Sequence, residues 1–96
     1  MKRRNGAVKD KYVQILEDFM AGKINIFDLQ SLFINKFKSE DSYLDDILYE
    51  ILEEIFGILD SMTDDSDLLE NNGMYYINIS EAKIALNNLY NQLIAY

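Results

Sequence analysis

The stretch from Tyr43 to Met62, YLDDILYEILEEIFGILDSM, constrains this chain more than any other. Wound at about 100° per residue, it sorts into two unequal faces. Leu44, Leu48, Ile51, Ile55, Leu59 and Met62 make one apolar stripe, widened by Ile47, Leu52 and Ile58. Asp46, Glu50, Glu53, Gly57 and Asp60 lie opposite, with Asp64 added if the helix runs that far. So broad an apolar face belongs in the middle of a core.

The acidic face lacks the mixed signs of a solvated helix, which sets Glu four residues before Lys. Here Glu50 stands four before Glu54 and four after Asp46, and Asp60 stands four before Asp64. Each like-charged pair costs a helix about 0.2–0.5 kcal/mol. From Ser39 to Ala82 there are thirteen Asp and Glu and no Lys or Arg, whereas the rest of the chain has nine basic and four acidic residues. Helix stability alone does not select such a run.

With 96 residues the chain supports one domain and one core. We expect a flexible basic start over residues 1–7 and a single domain over 8–96. The absence of Pro and the presence of only four Gly favour helices over a turn-rich β fold. Without Cys there are neither disulfides nor thiolate ligands, and without His the commonest general base and transition-metal ligand are missing. The opening Met1, Lys2, Arg3 and Arg4 resemble the head of a signal peptide, but Asp10, Lys11, Glu17 and Asp18 leave no apolar run behind it. No segment approaches the roughly 20 apolar residues of a membrane span. The expectation is a soluble cytoplasmic protein. Its net charge of −8 disfavours nucleic acid and anionic membrane as partners and favours a basic protein.

Four helices are predicted. The first covers Val8 to Ala21, with Val8, Tyr12, Ile15, Leu16 and Phe19 on one face and Gly22 as a left-handed stop. The second covers Ile26 to Lys38, capped by Asn25 with Asp28 in its first turn. Ile26, Leu29, Phe33 and Phe37 line its inner stripe, with Phe27 and Ile34 on the shoulder. The short link between the two makes them antiparallel neighbours. Ser42 is the expected cap of the third helix, with Asp45 three residues later. Thr63 to Asn78 reads as a long connection with a tight turn at Asn72–Gly73, after which Met74 to Ile77 either make a short extended piece or tuck against the bundle end. Asn78 and Glu81 open the last helix, Ile79 to Ala95, which turns Ile79, Ala82, Leu86, Leu89, Tyr90 and Leu93 inward and leaves Ile84 outside. The fold class is all-α, an antiparallel four-helix bundle.

Paired carboxylates work as acid and base only in a concave, partly dry site that splits their pKa values. These stand on a convex face, so no catalytic residue is assigned. An inward Glu-x-x-His dimetal site fails for want of His. Asp64, Asp65, Asp67 and Glu70 do not fit a calcium loop with Gly at its sixth and Glu at its twelfth position. No metal and no cofactor is expected. The acidic stripe is then either a solubilising surface or an electrostatic copy of a phosphate backbone, pairing with Lys and Arg that normally hold nucleic acid. Gly57 costs a helix interior about 0.8–1.0 kcal/mol, which either a partner's close approach or a closely packed neighbouring helix explains. Tyr49 borders the stripe and Tyr75 and Tyr76 come after it; exposed, they suit a binding hot spot, and buried, they are core with a wet hydroxyl.

The stretches ILEDFMAGKINIFDLQSLF, EEIFGILDSMTDDSDL and MYYINISEAKIALNNL resemble the colicin-D-type immunity proteins, a group that includes those of contact-dependent growth inhibition systems. The shared pattern falls on Phe19, Gly22, Lys23 and Ile24, on Phe33 and Phe37, on Phe56, Asp60, Asp64 and Asp65, and from Ile77 onward, covering roughly residues 12–93. The resemblance implies a four-helix bundle that binds and silences a cognate basic nuclease toxin, typically a tRNA-cleaving one, by placing acids over its substrate cleft. It carries Asp60, Asp64 and Asp65 into the toxin-binding face, while Asp46, Tyr49, Glu50 and Glu53 rest on helix geometry. Asn78 departs from the pattern, which sets an acid after the Ile that opens the last helix. No second large apolar stripe is left over after the bundle forms, so the expected assembly is a monomer that forms a 1:1 heterodimer with the toxin, without direct contact to nucleic acid.

A second resemblance is to acyl carrier proteins, with Asp41–Ser42–Tyr43–Leu44 near the phosphopantetheine step and Leu52 to Phe56 near the acidic run downstream. It implies phosphopantetheine on Ser42. The Gly before Asp-Ser is missing, and Asp46 and Asp60 fall where a carrier helix has aliphatics.

Overall fold

Five helices form among the residues that the computed structural model describes, 6–41, 44–71 and 75–96. They are α1 (Gly6–Met20), α2 (Ile26–Lys38), α3 (Asp46–Ser61), α4 (Ser66–Asn71) and α5 (Ile79–Ala95). Each begins or ends for a local reason. At the end of α1, Lys23 N–H donates to Asp18 O at 2.9 Å and Gly22 N–H to Phe19 O at 3.0 Å, with Gly22 at φ +79°. That is a Schellman stop, and it needs the left-handed backbone only Gly takes without strain.

In α2 a reciprocal capping box closes the first turn. Asp28 N–H donates to Asn25 Oδ1 at 2.8 Å, and Asn25 N–H donates to Asp28 Oδ2 at 3.3 Å. Asp28 at its start and Lys36 and Lys38 at its end all complement the helix dipole. α5 opens with one half of that arrangement, Glu81 N–H donating to Asn78 Oδ1 at 2.8 Å.

The third helix is shorter than its sequence pattern predicts. Asp45, not Ser42, is the cap: its Oδ1 accepts from Leu48 N–H at 2.9 Å. The side chain that reaches an orphan N–H sets the boundary. Ser42 itself lies outside the described residues, as do residues 1–5 and the expected Asn72–Gly73 turn. At its far end α3 stops at Ser61, because Met62 is extended at φ −71°, ψ 132°. Asp64 therefore does not continue the helical stripe.

The four long helices close a ring, with α1 and α3 each packed against both α2 and α5. Inside lie Tyr12, Leu16, Leu29, Phe33, Leu48, Leu52, Ile55, Leu59, Ala82, Leu86 and Leu93. α3 contributes most, as its apolar stripe requires, and each such aliphatic side chain removed from water stabilises the fold by about 1.5–3 kcal/mol. Ile47, expected at the edge of the stripe, is 63% exposed, and Ile84 stands outward as expected, 67% exposed. A run of rings crosses the α1–α2–α3 side: Tyr12 to Phe33 at 5.2 Å, Phe33 to Phe37 at 6.4 Å, and Phe37 to Phe56 at 5.5 Å. Gln30 ties α2 to the end of α3, its Nε2 donating at 2.7 Å to the Leu59 carbonyl, one of the orphan acceptors of the last turn.

The segment after α3 holds the fifth helix, which its sequence pattern did not predict. Asp65 caps α4, its Oδ1 accepting from Asp67 N–H at 2.9 Å and Leu68 N–H at 3.3 Å. Six residues are too few for a helical period to stand out. The expected extended piece survives as an isolated parallel bridge between Met62 and Ile77. Ile77 N–H donates to Ser61 O and Thr63 N–H to Ile77 O, each at 3.0 Å. Among the described residues no helix is long and apolar enough to cross a membrane.

Candidate functional site

The outward face of α3 is set by its inward one. Burying Leu48, Ile51, Leu52, Ile55 and Leu59 leaves Asp46, Glu50, Glu53, Gly57 and Asp60 on the opposite side, all exposed. None of the four carboxylates meets a cation among the described residues, since the nearest basic side chains in sequence, Lys36 and Lys38, belong to α2 and Lys36 pairs with Glu40 at 3.7 Å. Two like-charged helical pairs remain unrelieved, Asp46 with Glu50 and Glu50 with Glu54. The third, Asp60 with Asp64, is not a helical pair, because α3 ends between them.

Polarity along the helix axis adds a second cost. Asp46 in the first turn of α3 sits where the helix dipole favours it. Asp60 sits in the last turn, where negative charge is disfavoured by about 0.3–1 kcal/mol, and no basic residue shares that turn. α2 shows what relief looks like, with its acid first and its lysines last. The third helix has the opposite arrangement at its exit.

Of the other expected site residues, Tyr49 is 45% exposed, its ring 5.9 Å from Phe37 at the end of the aromatic run. One side of the ring is thus supported and the rest is open, the form of a hot-spot tyrosine. Tyr75 is 73% exposed and Tyr76 half-buried. Asp64 is exposed in the link after α3. Asp65 is exposed as well, but its carboxylate already serves α4 as cap. The structure therefore gathers Asp46, Tyr49, Glu50, Glu53 and Asp60 on one helix and sets Asp64 and Asp65 beyond its end.

Gly57 is open to solvent, and a Cβ built on it meets nothing within 4 Å. Packing of a neighbouring helix, one of its two sequence explanations, is excluded. It lies instead at the lip of an open groove of about 570 Å³ between α3 and α5. Glu54, Asn88 and Gln92 line that groove and were not among the expected site residues. The available signal was the spacing, with Glu54 three residues before Gly57 and hence on its side of the helix. Among the described residues no cluster of three or more acidic side chains is arranged to hold a metal ion.

The family model for bacterial self-protective colicin-like immunity matches residues 7–91. The chain belongs to that family. It is a protective immunity protein directed against a bacteriocin toxin, and a cognate toxin is its partner. No curated protein and no solved structure matches it. The family's proteins are in general non-catalytic, which agrees with acids that stand on a convex surface. For an immunity protein, an outward face whose charges the fold leaves unbalanced is the natural place to look for the toxin.

Proposed function

We propose that this immunity protein is of the colicin D type and neutralises a basic, RNA-cleaving toxin domain, specifically a tRNA nuclease, by covering its substrate cleft. The face that does so is Asp46, Tyr49, Glu50, Glu53 and Asp60 of α3, continued by Asp64 and Asp65. One observation carries this reading: four exposed carboxylates run along one side of a helix with no cation among the described residues to answer them, and Asp60 opposes the helix dipole. A cleft that binds RNA is lined by Lys and Arg, and carboxylates spaced along a rod complement such a lining. Tyr49 supplies the apolar anchor at the edge of the charged field.

In this reading residues 8–96 act as one unit, the protein is a monomer that forms a 1:1 heterodimer in the cytoplasm, and it performs no catalysis. A toxin of a contact-dependent inhibition system has the required chemistry. The carrier reading gains nothing, since Asp46 and Asp60 are exposed where aliphatic side chains would be needed.

The test is affinity for the cognate toxin domain, measured by calorimetry on Asp60→Lys/Asp64→Lys. Binding at least about tenfold weaker, with an unchanged helical circular dichroism signal, is the expected result. Equal binding by the double variant removes the stripe from the mechanism. Asp65 is left intact in this test because its loss also uncaps α4.

A further inference from the structure

The groove between α3 and α5 has an apolar floor made by Ile58, Ala85 and Leu89, with Gly57 at its lip. Its polar rim carries one charge, the Glu54 carboxylate, which only accepts, beside the amides of Asn88 and Gln92, which both accept and donate. Ser61 donates its hydroxyl hydrogen to the Gly57 carbonyl at 2.8 Å, so only its lone pairs remain. Among the described residues no Lys or Arg lines the groove. An apolar trough ending in a carboxylate, with two amides able to turn an oxygen toward a donor, matches one side chain above others: an arginine, whose methylene stem lies on aliphatic surface while its planar guanidinium donates several hydrogen bonds.

We propose that this groove receives an arginine of the toxin, laid over Gly57 with its stem on Ile58 and Leu89 and its guanidinium on Glu54. The proposal rests on the functional reading above and adds a second contact to it, on the flank of α3 rather than along its crest. The groove adjoins the acidic face directly, because Gly57 belongs to both. Gly57 then has a reason to be Gly: a side chain there would occupy the path of the arginine stem. Among the described residues no neighbour of Gly57 supplies that reason.

Two measurements test this. In the first, the full-length protein labelled with ¹⁵N is titrated with N-acetyl-arginine methylamide and, separately, with its norleucine counterpart. Shift changes centred on Gly57, Ile58, Ala85 and Asn88, larger for arginine and abolished in Gly57→Leu, are expected. Changes spread evenly over all the acids, or unaltered in Gly57→Leu, overturn the proposal. In the second, Gly57→Leu is assayed against the toxin domain. A Cβ there meets nothing within 4 Å and leucine is the better helix former, so the variant is expected to keep the helical circular dichroism signal, which is recorded beside the binding. At least about tenfold weaker binding is expected, the loss typical of an occluded anchor. If Gly57→Leu binds normally while Asp60→Lys/Asp64→Lys does not, the groove is excluded and the acidic-face reading stands. The reverse pattern excludes the acidic face and keeps the groove.

Discussion

The phenolic hydroxyl of Tyr12, in a side chain with no exposed surface, donates a 2.7 Å hydrogen bond to Glu40 Oε1. The two residues fasten α1 to the segment between α2 and α3, and Lys36 joins them, 5.0 Å above the Tyr12 ring and 3.7 Å from Glu40. Replacing Tyr12 by Phe keeps the ring and removes the donor. A hydrogen bond to a charged, half-buried acceptor makes the expected loss about 1–2 kcal/mol. Thermal or urea unfolding of Tyr12→Phe measures it.

Burial first, then the bond to Glu40 and its negative charge, push the Tyr12 hydroxyl well above its ordinary pKa of 10.0. The folded protein therefore keeps a proton that the unfolded chain gives up near pH 10. The Tyr12 contribution is complete below that pH and declines as pH rises through it, so alkali destabilises the fold. Tyrosinate absorbance monitored through an alkaline titration should leave Tyr12 among the last of the seven tyrosines to ionise, together with unfolding. Tyr90 also titrates late, chiefly because its hydroxyl donates to Glu17 at 2.8 Å.

Gly57→Ala should raise the stability of the free protein by about 0.5–1 kcal/mol. Alanine restricts the unfolded chain and favours helix, and a Cβ at this site meets nothing within 4 Å. Chemical denaturation gives the answer. A destabilised variant would mean that the open groove is occupied in solution.

Salt separates the free protein from its complex. Screening weakens the Asp46–Glu50 and Glu50–Glu54 repulsions and the penalty on Asp60, so the unfolding midpoint of the free protein should rise with moderate sodium chloride. Association with a basic toxin should slow over the same range, because steering is screened too. Glu50→Lys should show the same trade in one substitution: slightly more stable, by about 0.2–0.5 kcal/mol for each like-charged pair relieved, and weaker in binding. Stopped-flow association beside a denaturation curve reads both.

Asp45→Ala should cost about 1 kcal/mol through loss of the bond to the Leu48 N–H. The loss of helical signal should be confined to the first turn of α3.

α3 follows its sequence pattern where side-chain periodicity is the cause. Its buried set, Leu48, Ile51, Leu52, Ile55 and Leu59, is the apolar stripe, and the exposed acids are the opposite one. Gly22, Asn25 and Asn78 also act as their local chemistry predicted. What escaped had no local signal to rank it or was settled by distance. Asp45 caps α3, and nothing local ranks it against Ser42 three residues earlier in the sequence. α4 is too short to show a period, although Asp65 two residues before Asp67 was an available capping signal. The Tyr12–Glu40 bond joins residues 28 apart, and the groove joins two helices that only packing brings together. Neither leaves a pattern along the chain.

Two amide hydrogen bonds at Ile77 give the acidic segment after α3 a closed neck, since the chain leaves at Ser61 and Thr63 and returns to the same place. Mechanically, the stretch between Thr63 and Ile77 is a side pouch. Changing its sequence, or doubling its length at a closure cost of only about 0.6 kcal/mol, leaves the path from α3 into α5 where it was. A defence that must keep pace with an altered weapon can therefore rewrite that pouch without recasting the bundle that holds it.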